Sequence, residues 1–204
     1  MASGDTSLSI CSDALLLLGA NTLSSFNEGT TAATVADRLY DDIRTTLLVA
    51  YPWAWTLKKI RLAQSTSAPL NQWIYSYQLP TDRINAPRAV FFSGQTSIPM
   101  TSDFEIIGDK LYSDYPDIYI DYQYDPGESL YPKHFVQLLK YFLAWHFAEP
   151  VTDVTSKAQY WQGVAVGGPA ENGRGGFFRQ AINMDAQGNS SPSFQAFDLI
   201  SVRG

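Results

Sequence analysis

The amino-acid sequence predicts an α+β protein: a four-helix bundle, an antiparallel β-rich domain inserted between helices two and three, and an extended C-terminal arm. Three observations carry this reading. Apolar residues in the first 52 positions recur at helical spacing, residues 53–130 switch to a period of two, and helical spacing returns from residue 131. Residues 185–204 show neither pattern over a length that would make a domain. The expected organisation is 1–52 and 131–184 as the two parts of the bundle, 53–130 as the inserted β domain, and 185–204 as the arm.

The first helix is expected over residues 6–19. Thr6 or Ser7 can cap it, "LSICSDALLLLG" is rich in apolar residues, and Gly19 suits the left-handed position after a helix. The polar stretch "ANTLSSFNEG" then connects to a second helix from Thr31 to about Ala50. Val35, Leu39, Ile43 and Leu47 form its apolar stripe, with Asp37, Asp41, Asp42 and Arg44 off it. Pro52 is expected to end it, because proline lacks a donor and restricts the residue before it.

Five short runs follow, rich in aromatic and β-branched residues and separated by Pro, Gly, Asn and Asp. They are "WAWTLKKIRLA", "QWIYSYQLP", "RAVFFSG", "FEIIGDKLYS" and "DIYIDYQYD". "GDK" at 108–110 reads as a hairpin turn. In the last run Ile118, Ile120, Tyr122 and Tyr124 alternate with Asp117, Asp121 and Asp125, which predicts one buried face and one wet or partner-facing face.

The third helix is expected from Pro132 to Glu149, before Pro150. Its sequence "FVQLLKYFLAWHFA" leaves a thin polar stripe through Lys133, Gln137 and Lys140. A helix apolar nearly all round must be covered on several sides, so neighbouring subunits are expected to supply part of the cover. Leu138, Phe142 and Trp145, at i, i+4 and i+7, are the expected packing residues. A fourth helix begins near Val154 and meets a glycine-rich loop at 163–176, after which helical spacing resumes in "FFRQAINMDAQ". The loop is expected to be flexible and ordered by a partner.

Composition narrows function. Twenty acidic against fourteen basic residues give a net charge of −6, which argues against a general nucleic-acid binder. Aromatics at 14 % exclude a chain too polar to fold. A single cysteine, Cys11, makes no internal disulfide and no zinc site. No basic leader and no apolar run near 20 residues are visible, so neither a signal peptide nor a membrane partner is expected.

Catalytic motifs are scarce. His134 and His146 lie too far apart for an H-E-x-x-H pair, and no G-x-S-x-G elbow occurs. "GPAENGRG" has the spacing of a phosphate loop, but Arg174 and Gly175 replace its lysine and hydroxyl, and it follows a helix rather than a strand. No metal, cofactor-binding or catalytic residue is assigned. Carboxylates are abundant: between Asp103 and Glu128 eight stand against Lys110 alone. A carboxylate pair there would permit glycoside hydrolysis, which keeps a carbohydrate- or cell-wall-degrading enzyme as the alternative reading. The preferred reading is a solvent- or partner-facing strand face at Asp117, Asp121 and Asp125.

Taken in order, "LLLLGA", "YPWAW", "YQLPTDRINAPRAVF", "FEIIGDKLYSDYPDIYIDYQYD" and "YPKHFVQLLKYFLAWHFAEPVT" resemble the head-to-tail adaptors of tailed bacteriophages, the tail tubular protein A or gatekeeper family. The likeness covers about residues 6–165, and Pro52-Trp53 with "Y-x-L-P-x-D" at 77–82 are its most characteristic parts. The resemblance implies a structural virion protein without enzymatic activity or cofactor, made in the host cytoplasm. It further implies a homo-oligomeric ring of twelve copies, bound to the portal protein above and the tail nozzle below. Double-stranded DNA would pass through that ring without sequence-specific binding. An acidic lining suits such a channel because it repels phosphates. The C-terminal arm is expected to dock on the portal through Phe194, Phe197, Leu199, Ile200 and Val202, with folding back on its own bundle as the other outcome.

Overall fold

The computed structural model describes residues 4–187 except 68, 96 and 97. Helices α1 (Ser7–Leu17) and α2 (Thr31–Ala50) come first. Six strands follow: β1 (Leu57–Arg61), β2 (Tyr75–Gln78), β3 (Ala89–Phe91), β4 (Phe104–Ile107), β5 (Lys110–Ser113) and β6 (Tyr119–Gln123). Helices α3 (Lys133–Thr152), α4 (Thr155–Val166) and α5 (Gly176–Ala186) close the described chain. The protein is thus mixed helix and sheet, as expected of an α+β sequence.

The caps of the first two helices follow from their residues. Thr6 and Ser9 form a reciprocal capping box, with N–H to hydroxyl distances of 2.9 and 3.2 Å. Gly19 leaves α1 at φ +74, and the Thr30 hydroxyl accepts from the Ala33 amide at the start of α2. The buried stripe of α2 runs through Ala33, Ala36, Tyr40, Ile43 and Leu47, while Val35 and Leu39 are only half-buried. A strict spacing of four drifts about 40° round the helix at each step, so the mixed three-four spacing is the one that stays against the core.

Two expectations for the later helices are corrected. Pro150 does not end α3, which continues to Thr152 and closes on Asp153 at φ 54. Proline's own φ is helical, and the last turn is held by the Thr152 hydroxyl on the Ala148 carbonyl at 2.6 Å and the Asp153 amide on Glu149 at 2.9 Å. The count of four helices becomes five among the described residues: Gly167 at φ 82 turns the chain out of α4, and helix resumes after the glycine-rich loop, where its spacing predicts, as the separate α5.

The core of the helical part is built around α3. Helices α1, α2, α4 and α5 all pack on it. Phe135, Leu138, Leu139, Leu143 and Phe147 are fully buried by the chain itself. These residues are covered within the chain, so any cover from a neighbouring subunit would fall on the half-buried remainder of α3. Leu138 lies in this core, whereas Phe142 and Trp145 are half-buried at its edge.

The strands form two antiparallel three-stranded sheets, ordered β1-β6-β3 and β2-β5-β4. The β4–β5 hairpin turns through Gly108 at φ +60, as "GDK" predicts. Tyr77, Val90, Leu111, Ile120 and Tyr122 from both sheets share a second core with Leu62, Leu79 and Ile118, which adjoin strand ends. The chain enters and leaves the strand region side by side: Trp55 lies 5.3 Å from Tyr131 between ring centroids, and Trp53 lies 5.3 Å from Phe135.

Candidate functional site

A groove of about 800 Å³ opens between α3, α4, the glycine-rich loop and α5. Phe142 and Trp145 from α3, Val166 from α4 and Phe178 from α5 make its apolar wall, and Gln159 and Gln162 offer amides at its rim. The ring centroids of Phe142 and Trp145 are 5.8 Å apart, and those of Phe142 and Phe178 6.5 Å. Phe142 and Trp145 are half-buried for a local reason. Gly163 and Gly167 put no side chain over them, and the turn at Gly167 carries the chain away from α3.

The glycine-rich loop is a built structure. A short 3-10 turn, Pro169–Glu171, folds the Glu171 carboxylate back onto the Gly168 amide at 3.0 Å, with Arg179 3.5 Å away. The Gly175 amide donates to the Val166 carbonyl at 2.8 Å, which ties the start of α5 to the end of α4. A Cβ at Gly175 would collide with the Glu171 carboxylate, and one at Gly176 would lie 2.6 Å from the Val164 carbonyl oxygen. The chain itself therefore orders a loop that composition alone suggests is flexible. The Glu171 carboxylate fills the concavity that a phosphate loop would offer to its anion.

The acidic window is not one open face. Asp117 pairs with Arg61, Asp109 with Arg83 at 2.6 Å, and Glu105 accepts from the Trp73 indole at 2.9 Å. Asp114 accepts from the Ile74 amide at 3.0 Å. Asp121 lies mid-strand opposite Lys59, with one carboxylate oxygen, Oδ1, buried and lacking a hydrogen-bond partner. Part of the segment's excess charge is met by arginines outside it, at Asp109, Asp117 and Asp125.

Asp125 is the largest departure from the expected wet face. It pairs with Arg44 of α2 and accepts from the Tyr131 hydroxyl at 2.8 Å and the Gly127 amide at 2.9 Å. Arg44 also donates to the Tyr131 oxygen at 3.0 Å and lies 3.9 Å from Glu128. Burial works against the Arg44 cation, but Tyr131, Asp125 and Glu128 outweigh it and hold the guanidinium above its ordinary value. Burial, followed by the hydrogen bond to Asp125, raises the Tyr131 phenol. The cluster's chemistry is structural: it fastens α2 to the segment joining β6 to α3.

Gln123 was not singled out in the sequence, yet it fastens the same junction. Its amide nitrogen donates to the Tyr51 carbonyl at 2.9 Å and the Thr56 hydroxyl at 3.1 Å, and its oxygen accepts from Asn85 at 2.7 Å. A glutamine interrupting the Asp alternation of β6 was the one signal that could have marked it.

The remaining reactive groups are dispersed. Among the described residues, no group of three or more His, Cys, Asp or Glu side chains is placed to hold a metal ion. Burial pushes the Cys11 thiol up to about 12, which keeps it protonated. His134 sits 3.9 Å from Asp185, whose carboxylate accepts from the Ala54 amide at 2.7 Å and so fixes α5 to the chain after α2. No helix of the described residues is long and apolar enough to cross a membrane. Phe194, Phe197, Leu199, Ile200 and Val202 of the expected docking arm lie outside the described residues. In comparisons with models of known protein families and with curated proteins, the chain matches none.

Proposed function

We propose that this chain is a structural adaptor of a tailed-phage virion, a ring-forming protein that joins the capsid portal to the tail nozzle and surrounds the DNA path. The observation that carries the reading is the order of elements along one chain: two helices, a β-rich segment that leaves and returns at the Trp55–Tyr131 contact, then a strongly apolar helix. We read this as a helical bundle with an inserted β domain at 53–130, the arrangement that the resemblance implies. Exposed apolar side chains on the helices, Leu16 at 56 % and Tyr160 at 64 %, suit contacts between copies. In this reading Asp117 and Asp121 remain candidates for the channel- or tail-facing surface, while Asp125 serves the junction.

The alternative enzyme would need one carboxylic acid with a raised pKa beside a free carboxylate. Asp109, Asp117 and Asp125 are each paired with an arginine instead, so none of the three stands as a free carboxylate, which weakens that reading. The test is electron microscopy and sedimentation of the purified protein mixed with a portal ring. A ring of copies beneath the portal is expected. A chain that neither joins the portal nor assembles on it overturns the proposal.

A further inference from the structure

The groove between α3, α4 and α5 has the composition of a peptide seat. Its wall is apolar, its rim offers the Gln159 and Gln162 amides, and no charged residue lines it. Such a surface suits a neutral segment with large apolar side chains, the polar rim meeting its main chain. An anion or a basic partner would find no counter-charge there.

The chain itself carries such a segment. Beyond Gln187 the sequence continues through "GNSSPS" to "FQAFDLISVRG", where Phe194, Phe197, Leu199 and Ile200 stand within seven positions. The segment also begins within reach of the groove. Asp185 accepts from the Ala54 amide at 2.7 Å, and Ala54 lies four residues from Ala50, which lines the groove. From Phe178, on the groove wall, α5 runs nine residues to Gln187, about 14 Å at helical rise. The seven residues from Gln187 to Phe194 reach up to about 25 Å, enough to return along that length.

We propose that this groove is the seat of the chain's own C-terminal segment in the free protein, with Phe194 and Phe197 as the side chains that enter beside Phe142, Trp145 and Phe178. Attachment within reach of the groove favours the own segment over one from a second copy, because a short tether sets a local concentration in the millimolar range. The inference is independent of the adaptor reading, since it concerns the isolated chain.

The experiment uses the full chain with two added cysteines, Gln162→Cys at the rim and Phe197→Cys in the segment. Cys11 is fully buried and does not compete. Mild oxidation is followed by mass spectrometry, with Arg38→Cys and Phe197→Cys as the control pair on exposed α2. An intrachain disulfide forming about tenfold faster at Gln162 than at Arg38 is expected. Amide exchange over 159–168 should also quicken in full-length Phe194→Ser/Phe197→Ser, a variant whose changes both lie outside the described residues. Equal rates for the two pairs, or unchanged exchange, overturn the proposal. Predominant interchain disulfide overturns it in favour of a second copy.

Discussion

Arg44 and Asp125, 81 positions apart in sequence, form a direct ion pair at the place where the strands meet the helices. Both side chains are largely buried, and the Tyr131 hydroxyl bridges them. Removing one partner strands the other, so Arg44→Met should lower stability by about 2–4 kcal/mol. Asp117→Asn, which loses a half-exposed pair, should change it by no more than about 1 kcal/mol. Urea unfolding of the two variants, with Asp125→Asn and the Arg44→Met/Asp125→Asn double to complete a cycle, measures the difference. A coupling near zero would show that the pair does not hold the junction.

Lys140 is not a free charge on a thin polar stripe. It pairs with Asp13 of α1 at 2.6 Å and is itself only 17 % exposed. Lys140→Glu sets two carboxylates together against the helical core and should cost about 1–3 kcal/mol. Lys140→Glu with Asp13→Lys should recover part of that loss. Thermal melts of the single and double variants decide it, and a wild-type Tm for Lys140→Glu would remove the pair's role.

The glycine-rich loop should behave as a rigid joint. Gly176 sits at φ +53 with no room for a Cβ, so Gly176→Ala should cost about 1–3 kcal/mol and loosen α5. Amide exchange at Phe178 and Ala181 would report it. Gly163→Ala, at a helical position with open space, should be neutral or mildly stabilising.

Burial lowers the His134 pKa below its ordinary 6.5, against the smaller raising effect of Asp185. The His146 pKa is lowered in the same direction, also by burial. The folded chain therefore binds fewer protons than the unfolded chain once pH falls below about 6.5, and stability declines as pH drops through that window. Denaturation midpoints between pH 8 and 5 should show the decline, and His134→Leu should flatten part of it. A slope of the opposite sign would mean that Asp185, not burial, dominates at His134.

Local pattern was enough for the mixed helix-and-strand class, the caps at Thr6 and Gly19, the bounds of α2, the 108–110 hairpin and the buried alternation of Ile118, Ile120 and Tyr122. Each depends on neighbours within a few residues, so spacing and turn chemistry suffice to read it. Tertiary structure decided which polar residues are spoken for. Asp125, Lys140 and Gln123 look like surface residues in sequence, but their partners, Arg44, Asp13 and Tyr51, come from helices or segments far along the chain. Only packing reveals that Asp109, Asp117 and Asp125 of the acidic window are answered by arginines outside it. The same holds for α3: its apolar circumference showed that it must be covered, but not that α1, α2, α4 and α5 would cover it and leave Phe142 and Trp145 at the groove. Burial and charge pairing are properties of the whole fold, because they are set by what arrives from elsewhere in the chain.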